Sequence, residues 1–365
     1  MITLCAPRFG DIDRARVEQV LQSGMLVQGA MVAELERALE GSLGTPAVAC
    51  QSGTAALHIA LQVLGIGPGD EVVVPAFTWP SAAHAVVNVG AKPRFVDIDA
   101  DTLNLDPDAL EAVITPKTKA LLPIHQFGIP APMRAVMRVA NTHGLRVIED
   151  AACAIGSVCE DGLAGTIGDV GCFSFHPRKV VTTGEGGAVV SNDPALIDGL
   201  RIWRNHGQDP SLGLERFVAC GVNYRMPELS AAIGIAQVDR LDAILEHRRR
   251  LGRRYIDGLA GISGVSVPGG VQSEGNNFQS FVVDVDAERR DRFMTKLLAA
   301  GVQNTIGTYA VAEQPVWRDR GVVADAFPNA SAAMRRLVTL PLHEGMNEAA
   351  VDTVVEAVRH IAEDS

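Results

Sequence analysis

Lys179 and Asp150 are the two residues whose types and placing point most directly to chemistry. Lys179 closes the segment Gly168-Asp169-Val170-Gly171-Cys172-Phe173-Ser174-Phe175-His176-Pro177-Arg178-Lys179, and the turn Gly184-Glu185-Gly186-Gly187 follows shortly after it. A lysine just past an apolar strand, beside a glycine-rich turn, can sit at the edge of a sheet facing a ligand. Asp150 ends the run Arg146-Val147-Ile148-Glu149. That puts it at the carboxyl end of a strand, where open α/β folds bind their ligands. An amine that can form an imine, together with an acid for a pyridinium nitrogen, is what pyridoxal 5′-phosphate (PLP) requires of its protein. Glu149 is the weaker candidate for the acid, and a plain helix N-cap is the alternative role for Asp150.

A phosphate needs a cradle. Gly53 and Thr54 fall between a strand and a helix, where free amides bind anions and a glycine lets the backbone approach closely. Ser52 is either part of that cradle or an N-cap. Ser174, five residues before Lys179, can add a hydroxyl.

These residues have to be positioned by a sheet. Short apolar strands are expected at 46–50, 71–75, 94–98, 120–124 and 147–149. Helices are expected at 54–64, 81–89, 106–114 and 133–143. Strands separated by helices of this length imply βαβ crossovers and a mostly parallel sheet. Runs such as Val72-Val73-Val74 fit a sheet covered on both faces. After Lys179 the pattern changes: a strand at 187–191, a helix at 194–203, one long helix from Pro227 toward Leu259, a strand at 281–285, and helices at 289–300 and 347–362. The expected fold class is therefore α/β, a large domain over residues 1–240 with a smaller C-terminal α+β domain over 241–365. Arg248-Arg249-Arg250 reads as a solvated helix face.

With 365 residues, 47% hydrophobic and 21% charged, the chain can bury a substantial core and is not expected to be disordered. A net charge of −11 argues against nucleic acid as a partner. The start of the chain lacks the pattern of a secretory signal, and no apolar run reaches membrane-spanning length, so a cytoplasmic protein is expected. Six scattered cysteines suggest neither disulfides nor a metal site. No metal is expected.

The chain also resembles the DegT/DnrJ/EryC1/StrS family of PLP-dependent sugar aminotransferases. The resemblance rests on an ordered set of segments: Ser52-Gly53-Thr54-Ala55-Ala56-Leu57-His58, Val74-Pro75-Ala76-Phe77-Thr78-Trp79, Ile148-Glu149-Asp150-Ala151-Ala152, Ser174-Phe175-His176-Pro177-Arg178-Lys179, Thr183-Gly184-Glu185-Gly186-Gly187, Arg204-Asn205-His206-Gly207 and Asn223-Tyr224-Arg225-Met226. It implies the PLP-dependent transferase type I fold, like aspartate aminotransferase. Lys179 becomes the Schiff-base lysine and Asp150 the pyridinium partner, with Gly53, Thr54 and Ser174 at the phosphate. Trp79 stacks on the cofactor ring and Tyr309 contacts substrate. Asn223 reaches the phosphate held by the other subunit of a homodimer whose active site lies at the interface. Residues 22–31 form a lip over the cleft.

The implied reaction is ping-pong transfer of an amino group from an amino acid, L-glutamate, to a nucleotide-linked keto-deoxysugar. A keto-cyclitol of an aminoglycoside-type pathway is the alternative acceptor. A sugar dehydratase of the same fold carries histidine where Lys179 stands, which disfavours that reading. Two departures stand out. Cys153 occupies a position where the family commonly has His or Gln, facing the cofactor's phenolic oxygen. Ala312 and Glu313 occupy a stretch where a histidine is common. His125, His176 and His206 are further pocket candidates, each with a structural role as the alternative.

Overall fold

The computed structural model describes residues 1–212 and 216–363. Its centre is a seven-stranded sheet in the spatial order Ala47–Cys50, Gly187–Val190, Val170–Ser174, Arg146–Asp150, Thr118–Leu121, Glu71–Pro75 and Lys92–Val96. From Val170–Ser174 to Lys92–Val96 every neighbouring pair is parallel. Gly187–Val190 alone runs antiparallel to its neighbours on both sides. Ala47–Cys50, Glu71–Pro75 and Gly187–Val190 are buried along their whole lengths, as expected when helices cover both faces.

The crossover helices start and stop for local reasons. Gly53–Val63 is capped by Ser52, whose Oγ accepts from the Ala55 amide at 3.1 Å. Met133–His143 buries Met133, Val136, Val139 and Ala140 on one face. It ends at Gly144, which adopts φ 65°, a conformation that costs glycine little. Pro194–Arg204 begins with a proline behind the capping carboxylate of Asp193, which accepts from Ala195.

A second sheet, antiparallel throughout, has the order Val265–Ser266, Phe281–Val285, Leu337–Leu340 and Thr305–Ile306. It draws only on residues 265–340. The helices Leu241–Leu259 and Glu348–Glu363 pack against each other beside it. Tyr255 stacks on Phe281 at 4.6 Å between centroids, and its hydroxyl donates to Pro341 O at 2.8 Å.

Three local expectations are corrected. The single long helix is two, Glu228–Val238 and Leu241–Leu259. The break falls at Arg240 (φ −105°), whose guanidinium reaches back to Ala236 O and outward to Glu344 and Arg8 O. Residues 106–114 hold only a 3₁₀ turn and one α turn. The arginine run is not a solvated face. Arg248 is buried and donates to the carbonyls of Phe278, Gln279 and Leu342, and Arg249 donates to Gly156 O. Only Arg250 is exposed, beside Glu348.

Candidate active site

The carboxyl ends of Arg146–Asp150 and Val170–Ser174 lie side by side, with Asp150 opposite Cys172. Asp150 is buried, and its Oδ1 accepts from the Ala152 amide at 3.0 Å. Its Oδ2 takes no hydrogen bond from the described residues. Burial pushes the Asp150 carboxyl above the ordinary aspartate range; the Ala152 amide and the charges of Lys179 and His125 only partly offset this. The turn that the Ala152 bond closes carries Cys153, whose Sγ accepts from Lys179 Nζ at 3.0 Å. Lys179 itself sits on a turn in which its amide donates to His176 O at 2.8 Å.

Glu149 faces the other way, as successive strand residues must. It is fully buried and accepts from the amides of Gly165, Ile167 and Gly168 and from His125. Burial would raise its carboxyl, but the His125 bond and charge and the backbone amides outweigh that and hold it below the usual range. Glu149 therefore buttresses the loop at 165–168 and lies outside the cleft. His125 Nδ1 accepts from Ala131 N at 2.9 Å, so Nε2 carries the proton given to Glu149. That is a structural role.

The expected anion cradle is tightly packed. A Cβ on Gly53 would lie 2.7 Å from Ser174 Cβ and 3.2 Å from its Oγ. A Cβ on Gly187 would lie 2.5 Å from the carbonyl carbon of Ser52. The first turn of Gly53–Val63 is thus pressed against Ser174. Ser52 is spent on the Ala55 amide, leaving Gly53 and Thr54 to present the first amides of the helix.

Trp79 and Tyr309 come together through a two-stranded ribbon, Phe77–Thr78 with Tyr309–Ala310. Trp79 is 62% exposed. Asn223 is exposed and joins none of these clusters within the single chain. The residue after it, Tyr224, accepts from Gln51 N, next to Ser52, and its hydroxyl meets His58. His176 and His206 are exposed; His176 belongs to the lysine turn through its carbonyl, whereas His206 stands apart. In the segment 22–31, Met25, Leu26 and Val27 are exposed, while the amides of Gly29, Met31 and Val32 are held by buried Glu228.

Three residues that the sequence did not single out support the lysine turn and the cysteine. Cys5 Sγ donates to Pro177 O at 2.8 Å, and Gln279 Nε2 donates to Arg178 O at 2.8 Å. Asn277 Nδ2 donates to Cys153 O at 3.0 Å and Ile155 O at 2.9 Å. They lie far from Lys179 in the chain on either side, and no motif marks them.

The donor set fits PLP: an amine, a buried carboxylate with a free acceptor oxygen, and a helix start pressed against a hydroxyl. Together with the mostly parallel sheet, these groups define a PLP-dependent enzyme of the type I fold. The model of the DegT/DnrJ/EryC1/StrS aminotransferase family matches residues 8–359. A GDP-perosamine synthase from Caulobacter vibrioides is 36% identical over 366 residues, 99% of this chain and 98% of that protein. The spore coat polysaccharide biosynthesis protein SpsC of Bacillus subtilis is 35% identical over 97% of this chain and 95% of its own length. The Spr1654 protein of Streptococcus pneumoniae, solved in PMP and PLP forms, superposes with TM-scores of 0.94 and 0.93 at 29% identity, over 100% of this chain and 98% of that one. The chain belongs to the DegT/DnrJ/EryC1/StrS aminotransferase family. It is an aminotransferase, and its cofactor is pyridoxal 5′-phosphate. No described helix is long and apolar enough to cross a membrane.

Proposed function

We propose that this enzyme transfers an amino group from an amino acid, L-glutamate, to a nucleotide-linked keto-deoxysugar. The observation that carries this is the Lys179–Cys153–Asp150 cluster standing beside the Gly53–Ser174 cradle. The near full-length similarity to a GDP-perosamine synthase supports the substrate class.

When bound, PLP supplies a carbonyl that carries the amino group between donor and acceptor, and a ring that withdraws electrons from the reacting carbon. The chain's residues do the rest. Lys179 Nζ is the attachment point and moves the proton at the substrate carbon. Asp150 would hold the ring nitrogen and keep it protonated. The Gly53 and Thr54 amides and the Ser174 hydroxyl hold the phosphate. Trp79 covers the ring, and Tyr309 positions the acceptor.

The working assembly is a homodimer, to which Asn223 contributes from the partner. Exposed Trp79, Met25, Leu26, Val27 and Phe217 supply apolar surface for such an interface. We assign residues 1–240 to the cofactor domain, lip included, and 241–365 to the small domain, a division supported by the confinement of the second sheet to residues 265–340. The enzyme acts in the cytoplasm.

The test is a two-step conversion. Protein loaded with PLP is treated with L-glutamate, and the aminated form is then offered nucleotide-linked keto-sugars and keto-cyclitols separately. A singly aminated nucleotide sugar, found by mass spectrometry, is the expected product. Conversion of keto-cyclitols alone would replace the proposed acceptor, and no conversion by any donor would overturn the reading.

A further inference from the structure

The contact between Cys153 and Lys179 is built from outside the catalytic strands. Lys179 Nζ donates to Cys153 Sγ at 3.0 Å. The backbone on either side is fixed by one short segment leading into the second sheet. Asn277, fully buried, ties down the carbonyls of Cys153 and Ile155. Its Oδ1 accepts from Gln279 N at 2.8 Å, and the Gln279 side chain holds Arg178 O, one residue before Lys179. Buried Arg248 fixes this segment in turn through the carbonyls of Phe278 and Gln279. Gly128 packs so closely that a Cβ there would fall 1.9 Å from Asn277 Oδ1, so any side chain at 128 would displace the asparagine. A sulfur atom accepts hydrogen bonds weakly, so this support is what keeps a soft contact in one geometry.

We propose that Cys153 is a positioning residue for Lys179, its sulfur holding the amine over the cofactor site and Asn277 holding the sulfur in register. The proposal rests on Lys179 being the attachment point. It differs from a role at the phenolic oxygen, because the partner here is the amine itself. Asp150 and His176 also interact with that amine through charge.

The test uses the full chain with PLP. Borohydride reduction and peptide mass spectrometry first locate the cofactor on the wild type. Attachment elsewhere than Lys179 would overturn the cofactor reading, and the Cys153 proposal with it. Attachment at Lys179 leaves Cys153 to be judged by itself. Cys153→Ala and Cys153→Ser are then compared with wild type for the rate at which the visible absorbance of the attached cofactor develops, and for the pH midpoint of that absorbance. In Cys153→Ala attachment slows about tenfold and the midpoint moves by about one pH unit, and Cys153→Ser recovers most of both. Equal rates and midpoints in all three proteins overturn the proposal. A lowered melting temperature alone, with the spectrum unmoved, also overturns it, because a merely structural cysteine would behave so.

Asn277→Ala reproduces the spectral shift in the wild-type background and adds nothing to Cys153→Ala; additive shifts overturn the coupling. Should Asn277→Ala fail to fold, alkylation of the wild type decides. Loading with PLP changes the iodoacetamide labelling rate of Cys153 about tenfold by engaging the amine that contacts it. Equal labelling with and without PLP overturns the proposal.

Discussion

Trp79 meets Tyr309 edge-on, with ring centroids 5.6 Å apart and planes at 65°. Residues distant in sequence are joined here by a two-residue ribbon, in which Tyr309 pairs with Thr78 and Ala310 with Phe77. The Val311 amide then donates to Ala76 O at 2.7 Å and extends the pairing. The ring proposed to cover the cofactor and the ring proposed to touch the acceptor are therefore carried by one ribbon.

Separating those two rings tests their roles. An edge-to-face pair is worth about 0.5–1.5 kcal/mol beyond its buried area. Tyr309→Ala is expected to raise KM for the acceptor about threefold to tenfold while PLP remains bound through dialysis. Trp79→Ala is expected to loosen PLP itself. Steady-state kinetics and a spectral titration with PLP measure the two effects, and equal effects on both quantities by both variants would refute the assignment.

Gly53 and Ser174 make a second prediction. Gly53→Ala pushes a methyl group to within 2.7 Å of Ser174 Cβ, closer than packed atoms tolerate. Either the helix start shifts or Ser174 turns away, and PLP affinity falls by at least about tenfold, the loss of one good hydrogen bond to a charged group. Ser174→Gly in the same chain removes the clash without restoring the hydroxyl. The double variant should therefore be no weaker than Ser174→Gly alone, a non-additivity that titration with PLP resolves.

The sequence made the large sheet legible because several of its strands, Ala47–Cys50 and Gly187–Val190 among them, are apolar throughout and its helices carry their own punctuation. Gly144 ends one, Asp193-Pro194 opens another, and the expected helix at 133–143 is found with those bounds. Lys179, Asp150, Gly53 and Ser174 were singled out because the proposed chemistry demands those types beside strand ends, and the structure sets Gly53 against Ser174. The break at Arg240 was not legible, since neither Gly nor Pro marks it; it depends on Glu344 and Arg8, far along the chain. Arg248 was misread for a related reason. Three consecutive arginines look alike in sequence, but a helix turns them to different sides, and only the backbone carbonyls waiting at Phe278 and Leu342 distinguish the first. Asn277 and Gln279 act through backbone atoms, which leave no trace in side-chain patterns.

That difference among the arginines is measurable. Burial pushes the Arg248 guanidinium down to about 10, still charged at neutral pH, and carbonyls rather than a carboxylate satisfy it. Arg248→Ala strands those carbonyls and should lower stability by on the order of 3 kcal/mol. Arg250 sits half-exposed beside Glu348 at 3.2 Å, so Arg250→Ala should stay within about 0.5 kcal/mol of wild type. Urea denaturation of the three proteins at one pH and one PLP concentration makes the comparison. Similar losses from both substitutions would restore the view of one solvated face.

Asp150 supplies a prediction in which PLP reverses the effect of one substitution on stability. Its carboxyl is raised by burial, with the Ala152 amide, Lys179 and His125 too weak to restore it. A raised acid favours the fold in its protonated form. That contribution is complete below the ordinary aspartate value of about 3.9 and is lost as pH rises through the folded value. Above the folded value the ionised carboxylate burdens the PLP-free protein, and Asp150→Asn, which keeps the shape and removes the charge, should stabilise that form by on the order of 1 kcal/mol. The gain should shrink as pH is lowered toward the aspartate range, where the wild-type carboxyl is itself neutral. With PLP loaded the order should reverse, because the protonated ring nitrogen, the proposed partner of the carboxylate, is one that asparagine would not replace. Thermal melts of both proteins across pH, with and without PLP, give the four curves required. An Asp150→Asn protein that is less stable than wild type in the PLP-free form at neutral pH would show that the carboxylate is satisfied within the chain, and that its place in the site is structural.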